Sequence, residues 1–432
     1  MSKIKLVIKE KVRILLNFLQ NNRWYLIALI VICVVQIFIA GKTDVNNYPS
    51  DHDVSAYRNL ALSFPNFDYT IAKPFFHRLF APWLVGLLFN DVDQGFFVVN
   101  LIFSILFVVL LYYFFIVFGI SKKIAFLITI AFIFNRYFIP FLAFQPYRVL
   151  DLITVTIFLS SLLLLQKKKF TAIFVISIIG ILTKEIALLI IPVGFAYLYF
   201  TEPKQKKEIF IFSLYSIVLV SIYLAIRILI PAPQGITIVT AFEDNWNKIF
   251  SIEAITKQLF IAFNPLFLIP VFQFRKYLLF NKRYPYFFVL LIFVLITSLF
   301  GGDKERLMLS YAPIYYLFIA TLFQNMDEIR KIKISEIIII LTITWLSNLH
   351  HIWGLIRLPS REYSLIIALI GSILILTIFY KIKIASERKN ELKNQGCLIN
   401  KHPELNRVDH KIFLKIKNCK MIYNFRLNYF IK

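Results

Sequence analysis

Ionisable side chains are costly to keep inside long apolar runs, so the few that stand there carry most of the information in this sequence. They are Arg136, Arg148, Asp151, Lys184, Glu185, Arg227, Asp303 and Arg306. Upstream, the polar stretch Tyr48-Pro49-Ser50-Asp51-His52-Asp53 places two acids two residues apart, and His77-Arg78 falls in a short apolar segment. Two kinds of chemistry fit these residue types. A carboxylate within hydrogen-bond reach of a hydroxyl can take its proton as the oxygen attacks, and Asp51, Asp53 and Asp151 are the candidate bases. Guanidinium and ammonium groups can clamp a phosphate and offset the charge that develops as it departs, which points to Arg78, Arg148, Lys184 and Arg306. Glu185 and Asp303 are the supporting acids.

Each position also has a plainer use. Asp51 and Asp53 precede an amphipathic stretch running to Leu62, where they can cap a helix. The same pair could instead form an acid–metal site. Arg78, four residues before Pro82, can snorkel to lipid headgroups. Asp151 begins an apolar run directly after Gln145-Pro146-Tyr147-Arg148, so it can complement a helix dipole. Lys184 and Glu185 are neighbours and do not face each other on a helix, so each needs a partner elsewhere. Asp151 and Arg148 are the natural ones, and a structural ion network competes with a catalytic one. Gly301-Gly302-Asp303 is an ordinary turn. His350 and His351 point different ways on a helix, so they do not share a metal. Cys33, Cys397 and Cys419 offer neither a disulfide framework nor metal-ligand spacing.

The elements that must position these residues are apolar. Of the 432 residues 59% are hydrophobic and only 17% charged, against about 25% in soluble domains. Mean hydropathy is +0.73. So much apolar surface in so many long runs needs the bilayer as solvent, which excludes a soluble enzyme, a coiled coil and a disordered chain. The expected fold class is all-α and polytopic, with about twelve spans: 24–40, 96–118, 124–141, 150–165, 170–183, 186–200, 209–231, 256–274, 286–301, 307–325, 335–353 and 364–381. Three regions follow. Residues 1–23 form a basic cytoplasmic N-terminus leading into an uncleaved signal-anchor, residues 24–384 the transmembrane domain, and residues 385–432 a basic cytoplasmic tail. Outer loops fall at 41–95 and 231–255, the first carrying interfacial helices because the apolar stretch Phe75–Asn90 is short and holds His77, Arg78 and Pro82.

Charge fixes the expected orientation. With the N-terminus inside, cytoplasmic pieces hold 34 of the 48 Lys and Arg and the opposite side holds 12. Reading Phe170–Phe200 as a single helix would invert everything downstream and bury Lys184-Glu185 near mid-bilayer. Two short spans meeting at that pair are therefore expected. They rise only about 21–23 Å at 1.5 Å per residue, which sinks their turn below the outer surface. The net charge of +24 sits in short clusters between apolar runs, so anionic lipid, not nucleic acid, is the expected partner.

On these residues the plan resembles the GT-C superfamily, polytopic glycosyltransferases that use polyprenyl-phosphate-linked sugars. Asp51-His52-Asp53 followed by the Arg78–Pro82 helix is similar to the acidic first outer loop of that family. Asp151 resembles its second acid, Thr183-Lys184-Glu185 a basic–acidic pair at a helix junction, and Gly302-Asp303 with Arg306 a late outer turn. The resemblance covers roughly residues 20–380, and the soluble domain that follows the last span in many members has no counterpart here. It implies transfer of a sugar from a polyprenyl-phosphate donor to an acceptor at the outer face of the membrane, in cell-envelope glycan or glycolipid assembly. A divalent cation is left open as a cofactor. Two alternatives share the arginine-lined cavity. One is a transporter or flippase for lipid-linked saccharides, which would need ionisable residues along the whole path. The other is an oligosaccharide polymerase or ligase, which differs mainly in donor size.

Overall fold

The computed structural model describes residues 2–44, 52–201, 206–230, 233, 252–298, 304–329, 331–349, 362–363, 365–381 and 384. Among these residues every regular element is helical. Four helical stretches are long and apolar enough to cross a membrane: Leu16–Ala40, Val92–Val117, Pro146–Gln166 and Lys206–Leu229. A bent pair, Phe274–Arg283 with Pro285–Thr297, makes a fifth if counted as one span, and shorter apolar helices add to them. This is the helix content of a membrane-embedded protein. The chain divides into two compact units, Met1–Asn325 with Ile332–Ile378, and Met326–Lys331 with Phe379–Lys432. In the second, Lys331 pairs with Asp327 at 3.2 Å; the expected tail, 385–432, lies outside the described residues.

The first unit begins with α1 (Ser2–Ala40), which starts well before the expected span at 24 and carries the basic N-terminus into the same helix. The first outer loop folds as α2 (Asp53–Leu62), a short 3-10 turn (Phe75–His77) and α3 (Phe80–Leu88). Their apolar faces share one core with the helices they sit on: Val54, Leu60, Phe76, Val85, Phe96 and Ile153 are all fully buried. Gly86 lets α3 cross α2 closely, because a Cβ there would lie 2.4 Å from the Ala61 carbonyl oxygen. The layer beneath comprises α4 (Val92–Val117), α5 (Lys122–Phe134), α6 (Ile139–Phe144) and α7 (Val149–Gln166). Hydroxyls inside these helices satisfy themselves on the preceding turn, as Thr129, Thr154 and Thr156 do with carbonyls four residues back at 2.7 Å.

The stretch 170–200 folds as a hairpin of α8 (Phe170–Thr183), a 3-10 turn (Glu185–Leu189) and α9 (Ile190–Thr201). Tyr286 meets both the end of the helix before this hairpin and the last turns of α9. Gln166, at the end of α7, donates to the Tyr286 hydroxyl at 3.4 Å, and the Tyr197 ring packs edge-on against Tyr286 at 5.2 Å. The hairpin therefore returns to the level at which it began. Next comes α10 (Lys206–Leu229), whose Phe212 ring lies on Gly194 of α9, where a Cβ would come within 2.2 Å of it.

Three expected elements differ. The run 124–141 is interrupted, since α5 stops at Phe134 and α6 starts at Ile139. The run 256–274 is interrupted at Asn264-Pro265, between helices Ile252–Phe263 and Leu268–Phe272. The expected loop 275–284 is instead the helix Phe274–Arg283, bent by 109° from the one that follows. The two interruptions have one physical basis, because they meet each other and the end of helix Ile334–Leu346. Asn135 donates to the Ala262 carbonyl at 2.7 Å and accepts from the Tyr137 N–H at 3.1 Å. Asn348 donates to the Asn264 carbonyl at 3.3 Å and accepts from the Arg136 N–H at 3.1 Å. Side-chain amides thus satisfy the backbone groups that the broken helices release. Three helix C-termini converge there, and their partial negative charge favours the fully buried cation of Arg136, which also lies 4.3 Å over the Tyr137 ring.

Candidate functional site

The charged residues picked out by the sequence stand at helix ends and breaks, which is why their side chains leave the apolar ladder and meet. Asp53 opens α2 in its first turn. Arg148 closes a 3-10 turn (Pro146–Arg148) at the head of α7, and Asp151 lies within the first turn of that helix. Lys184 is the residue at which α8 ends, and Glu185 starts the turn after it. Arg78 ends the turn Phe75–His77, Arg227 lies in the last turn of α10, and Arg306 lies in the short helix Lys304–Leu307.

Their contacts form two adjoining clusters, one around Asp151 and Asp53 and one around Glu185, which meet at the neighbouring residues Lys184 and Glu185. Asp151 is held between Lys184, whose ammonium donates to Oδ1, and Arg306, whose Nη1 donates to Oδ2 at 2.8 Å. The same Arg306 nitrogen lies 3.8 Å from Asp53 Oδ2, so it bridges the two acids. Asp53 Oδ1 accepts from Arg148 Nη2 at 3.1 Å and lies 2.9 Å from His52 Nδ1. On the other side, Glu185 takes the fork of Arg78, Nε to Oε2 at 3.1 Å and Nη2 to Oε1, with Arg227 Nη2 3.6 Å from Oε2. Arg78 Nη1 donates to the Tyr57 hydroxyl at 2.7 Å. Asp53, Asp151 and Arg306 are between 11% and 14% exposed, so the centre is sunk but reachable.

Several expectations change in this geometry. The helix cap is His52, whose Nδ1 faces the Val54 N–H at 3.3 Å, while Asp53 turns its carboxylate to the arginines. Arg78 is 8% exposed and locked to Glu185 and Tyr57, so it does not snorkel. Lys184 finds Asp151, as its position suggests, but Glu185 finds Arg78 and Arg227 and not Arg148. Asp51, Asp303, His350 and His351 lie outside the described residues.

Tyr57 escaped the sequence reading although it follows Asp53 by four residues and so shares its helix face. Burial pushes its hydroxyl up to about 12, which keeps it a neutral partner for Arg78. His77 Nε2 bonds the Ile230 carbonyl at 3.0 Å, and burial lowers its tendency to protonate. A smaller cluster also went unread. Asp93, in the first turn of α4, accepts from Arg58 Nε at 2.8 Å and from the Tyr147 hydroxyl at 2.9 Å, tying α2 to the turn that carries Arg148.

The charged groups decide what the site can do. Among the described residues five cations (Arg78, Arg148, Lys184, Arg227, Arg306) stand with three carboxylates (Asp53, Asp151, Glu185) at this site. Guanidinium forks and an ammonium gathered at one place suit an anion with several acceptor oxygens. Asp51, the other acid of the expected acid–metal pair, lies outside the described residues. The carboxylates face guanidinium and ammonium groups, and no group of three His, Cys, Asp or Glu among the described residues is placed to hold a metal. No family model, curated protein sequence or solved structure matches the chain.

Proposed function

We propose that this chain is a membrane glycosyltransferase, similar in plan to the GT-C superfamily. In this reading it moves a sugar from a polyprenyl-phosphate donor to an acceptor hydroxyl during cell-envelope glycan or glycolipid assembly. The observation that carries the reading is the convergence of Asp53, Asp151 and Glu185 with five cations in two adjoining clusters at the helix ends. The bias of Lys and Arg puts the opposite, basic end of the bundle in the cytoplasm, so this site faces outward in a chain of about twelve spans.

The chemistry follows from the charges. A polyprenyl-phosphate sugar is a phosphodiester with one negative charge. When its anomeric C–O bond breaks, the leaving polyprenyl phosphate carries close to two near neutral pH, since its second pKa is about 6. Guanidinium and ammonium groups held at the site therefore attract the departing dianion more strongly than the singly charged donor, which is the difference that lowers a barrier. As the acceptor oxygen bonds to the anomeric carbon, its proton passes to Asp53 or to Asp51. One base and one leaving-group clamp suffice for a single displacement with inversion. Asp151, held by Lys184 and Arg306, aligns those two cations toward the phosphate.

Binding of a polyprenyl monophosphate to the full chain in nanodiscs tests the clamp, with the uncharged polyprenol as control. Arg306→Ala removes a partner from a buried charged contact, typically worth about 2–5 kcal/mol, so affinity should fall roughly thirtyfold or more. Arg306→Lys keeps the charge but loses the planar fork and should fall in between. Asp53→Asn should retain the monophosphate. Equal binding of phosphate and alcohol by the wild type, or unchanged affinity in Arg306→Ala, would return these residues to a structural ion network.

A further inference from the structure

The helix Phe274–Arg283 has no use in the transferase reading, and its construction is unlike that of its neighbours. It carries Arg275, Lys276, Lys282 and Arg283 and no acid, and all four basic residues are exposed. None of them takes part in an ion pair among the described residues. At 3.6 residues per turn the four fall within an arc of about 120°. A second sector presents Phe274 and Leu278, 58% and 49% exposed, and Phe272 just before it is 64% exposed. The third sector holds the helix to the bundle: the Tyr277 hydroxyl meets that of Tyr311 at 2.6 Å, and the Phe280 ring packs on Phe318 at 5.4 Å.

Two further facts place it. Its C-terminal Tyr284 packs on Phe118 at 5.7 Å, at the foot of α4 and beside Lys122 and Lys123, which is the basic end of the bundle. The 109° bend to the next apolar helix lays it across the helix axes. Leu279, 58% exposed, stands among the basic residues, so the outer face is mixed basic and apolar. A helix with such a face, crossing an apolar span at nearly a right angle and packed on its other side, has the build of an in-plane interfacial helix.

We infer that Phe274–Arg283 lies in the plane of the membrane at the basic end of the bundle and binds anionic phospholipid headgroups of that leaflet through Arg275, Lys276, Lys282 and Arg283. Leu278 and Phe274 enter the acyl boundary while the basic arc meets the phosphates. Charge complementarity selects this occupant, because four cations with no carboxylate partner among the described residues sit beside exposed apolar side chains. The inference needs only the membrane setting and stands whether or not the outer site transfers sugar.

The test compares retention of phosphatidylglycerol and phosphatidylcholine by the full-length protein, counted by native mass spectrometry after equal titration of each. Each basic residue near an anionic surface strengthens binding roughly fivefold, so the wild type should prefer phosphatidylglycerol by more than about tenfold. The quadruple variant Arg275→Gln, Lys276→Gln, Lys282→Gln, Arg283→Gln should lose most of that preference. The control Lys167→Gln, Lys168→Gln, Lys169→Gln, in the loop after α7 at the same end, should lose clearly less, because no exposed large apolar side chain flanks those lysines. Should the quadruple variant fail to fold, Lys282→Gln alone should reduce the preference severalfold, and 1 M salt should abolish it in the wild type by cutting the screening length to about 3 Å. A quadruple variant that retains the preference, or a control that loses as much, would overturn the inference.

Discussion

Asp151 is the most tightly held acid of the site. Its two oxygens are occupied by Lys184 and Arg306, and it is 11% exposed. Removing one member of a buried network leaves the others charged in a poor solvent, which typically costs about 3–5 kcal/mol. Asp151→Asn should therefore lower the thermal unfolding temperature of the detergent-solubilised chain markedly. Adding Lys184→Met should restore part of the loss, because one stranded cation goes with its partner. If the two losses simply add, the residues are not coupled as drawn. The same physics explains what the sequence revealed at this scale. A charge in an apolar run is conspicuous because it is expensive, so Asp151, Lys184, Glu185 and Arg306 could be picked out one by one. Which charge meets which was hidden, since Glu185 and Arg78 stand 107 residues apart and only folding brings the fork to its carboxylate. Tyr57 was hidden for another reason: a tyrosine on an amphipathic helix costs nothing to place there and so gives no signal.

At the scale of elements, hydropathy reports length and not continuity. The bounds of α8 coincide with the expected 170–183, and the hairpin turn falls at Lys184-Glu185, because charges interrupt the apolar run there. The break after Phe134 interrupts almost nothing apolar, so the run 124–141 read as one span although Asn135 and Arg136 sit inside it. What makes that break tolerable is the amide of Asn135, which serves the Ala262 carbonyl and the Tyr137 N–H together. Asn135→Ala would orphan both buried backbone groups at about 1–3 kcal/mol each. Thr129→Val, one and a half turns earlier in α5, removes a hydroxyl that bonds only its own helix and whose partner carbonyl keeps its helical N–H. The alanine variant should thus melt clearly lower than wild type while the valine variant stays close to it. Equal melting temperatures would mean that the junction of broken helices does not depend on its asparagines.

At the scale of the whole molecule, the two ends of the bundle differ in kind. One end gathers acids and cations into the network around Asp53 and Asp151. The other carries Lys122, Lys123, Lys167 to Lys169 and the helix Phe274–Arg283 with hardly an acid among them. The 26 residues of α4 separate the two ends by about 39 Å, enough for a hydrocarbon core of about 30 Å. Cationic ends stay on the cytoplasmic side, so this asymmetry predicts a sidedness. A reporter that works only outside the cytoplasm should be active when fused after residue 45, 235 or 303, and silent after 168, 205 or 280. The decisive pair is 168 and 205. Tyr286 touches both Gln166 and Tyr197, so α8 and α9 leave and return at one level, and the two fusions must report the same side. Opposite signals would make 170–200 a single crossing. That would place Lys184 and Glu185 in mid-bilayer and invert every later loop, separating Arg306 from the acids of the first outer loop by the full thickness of the membrane.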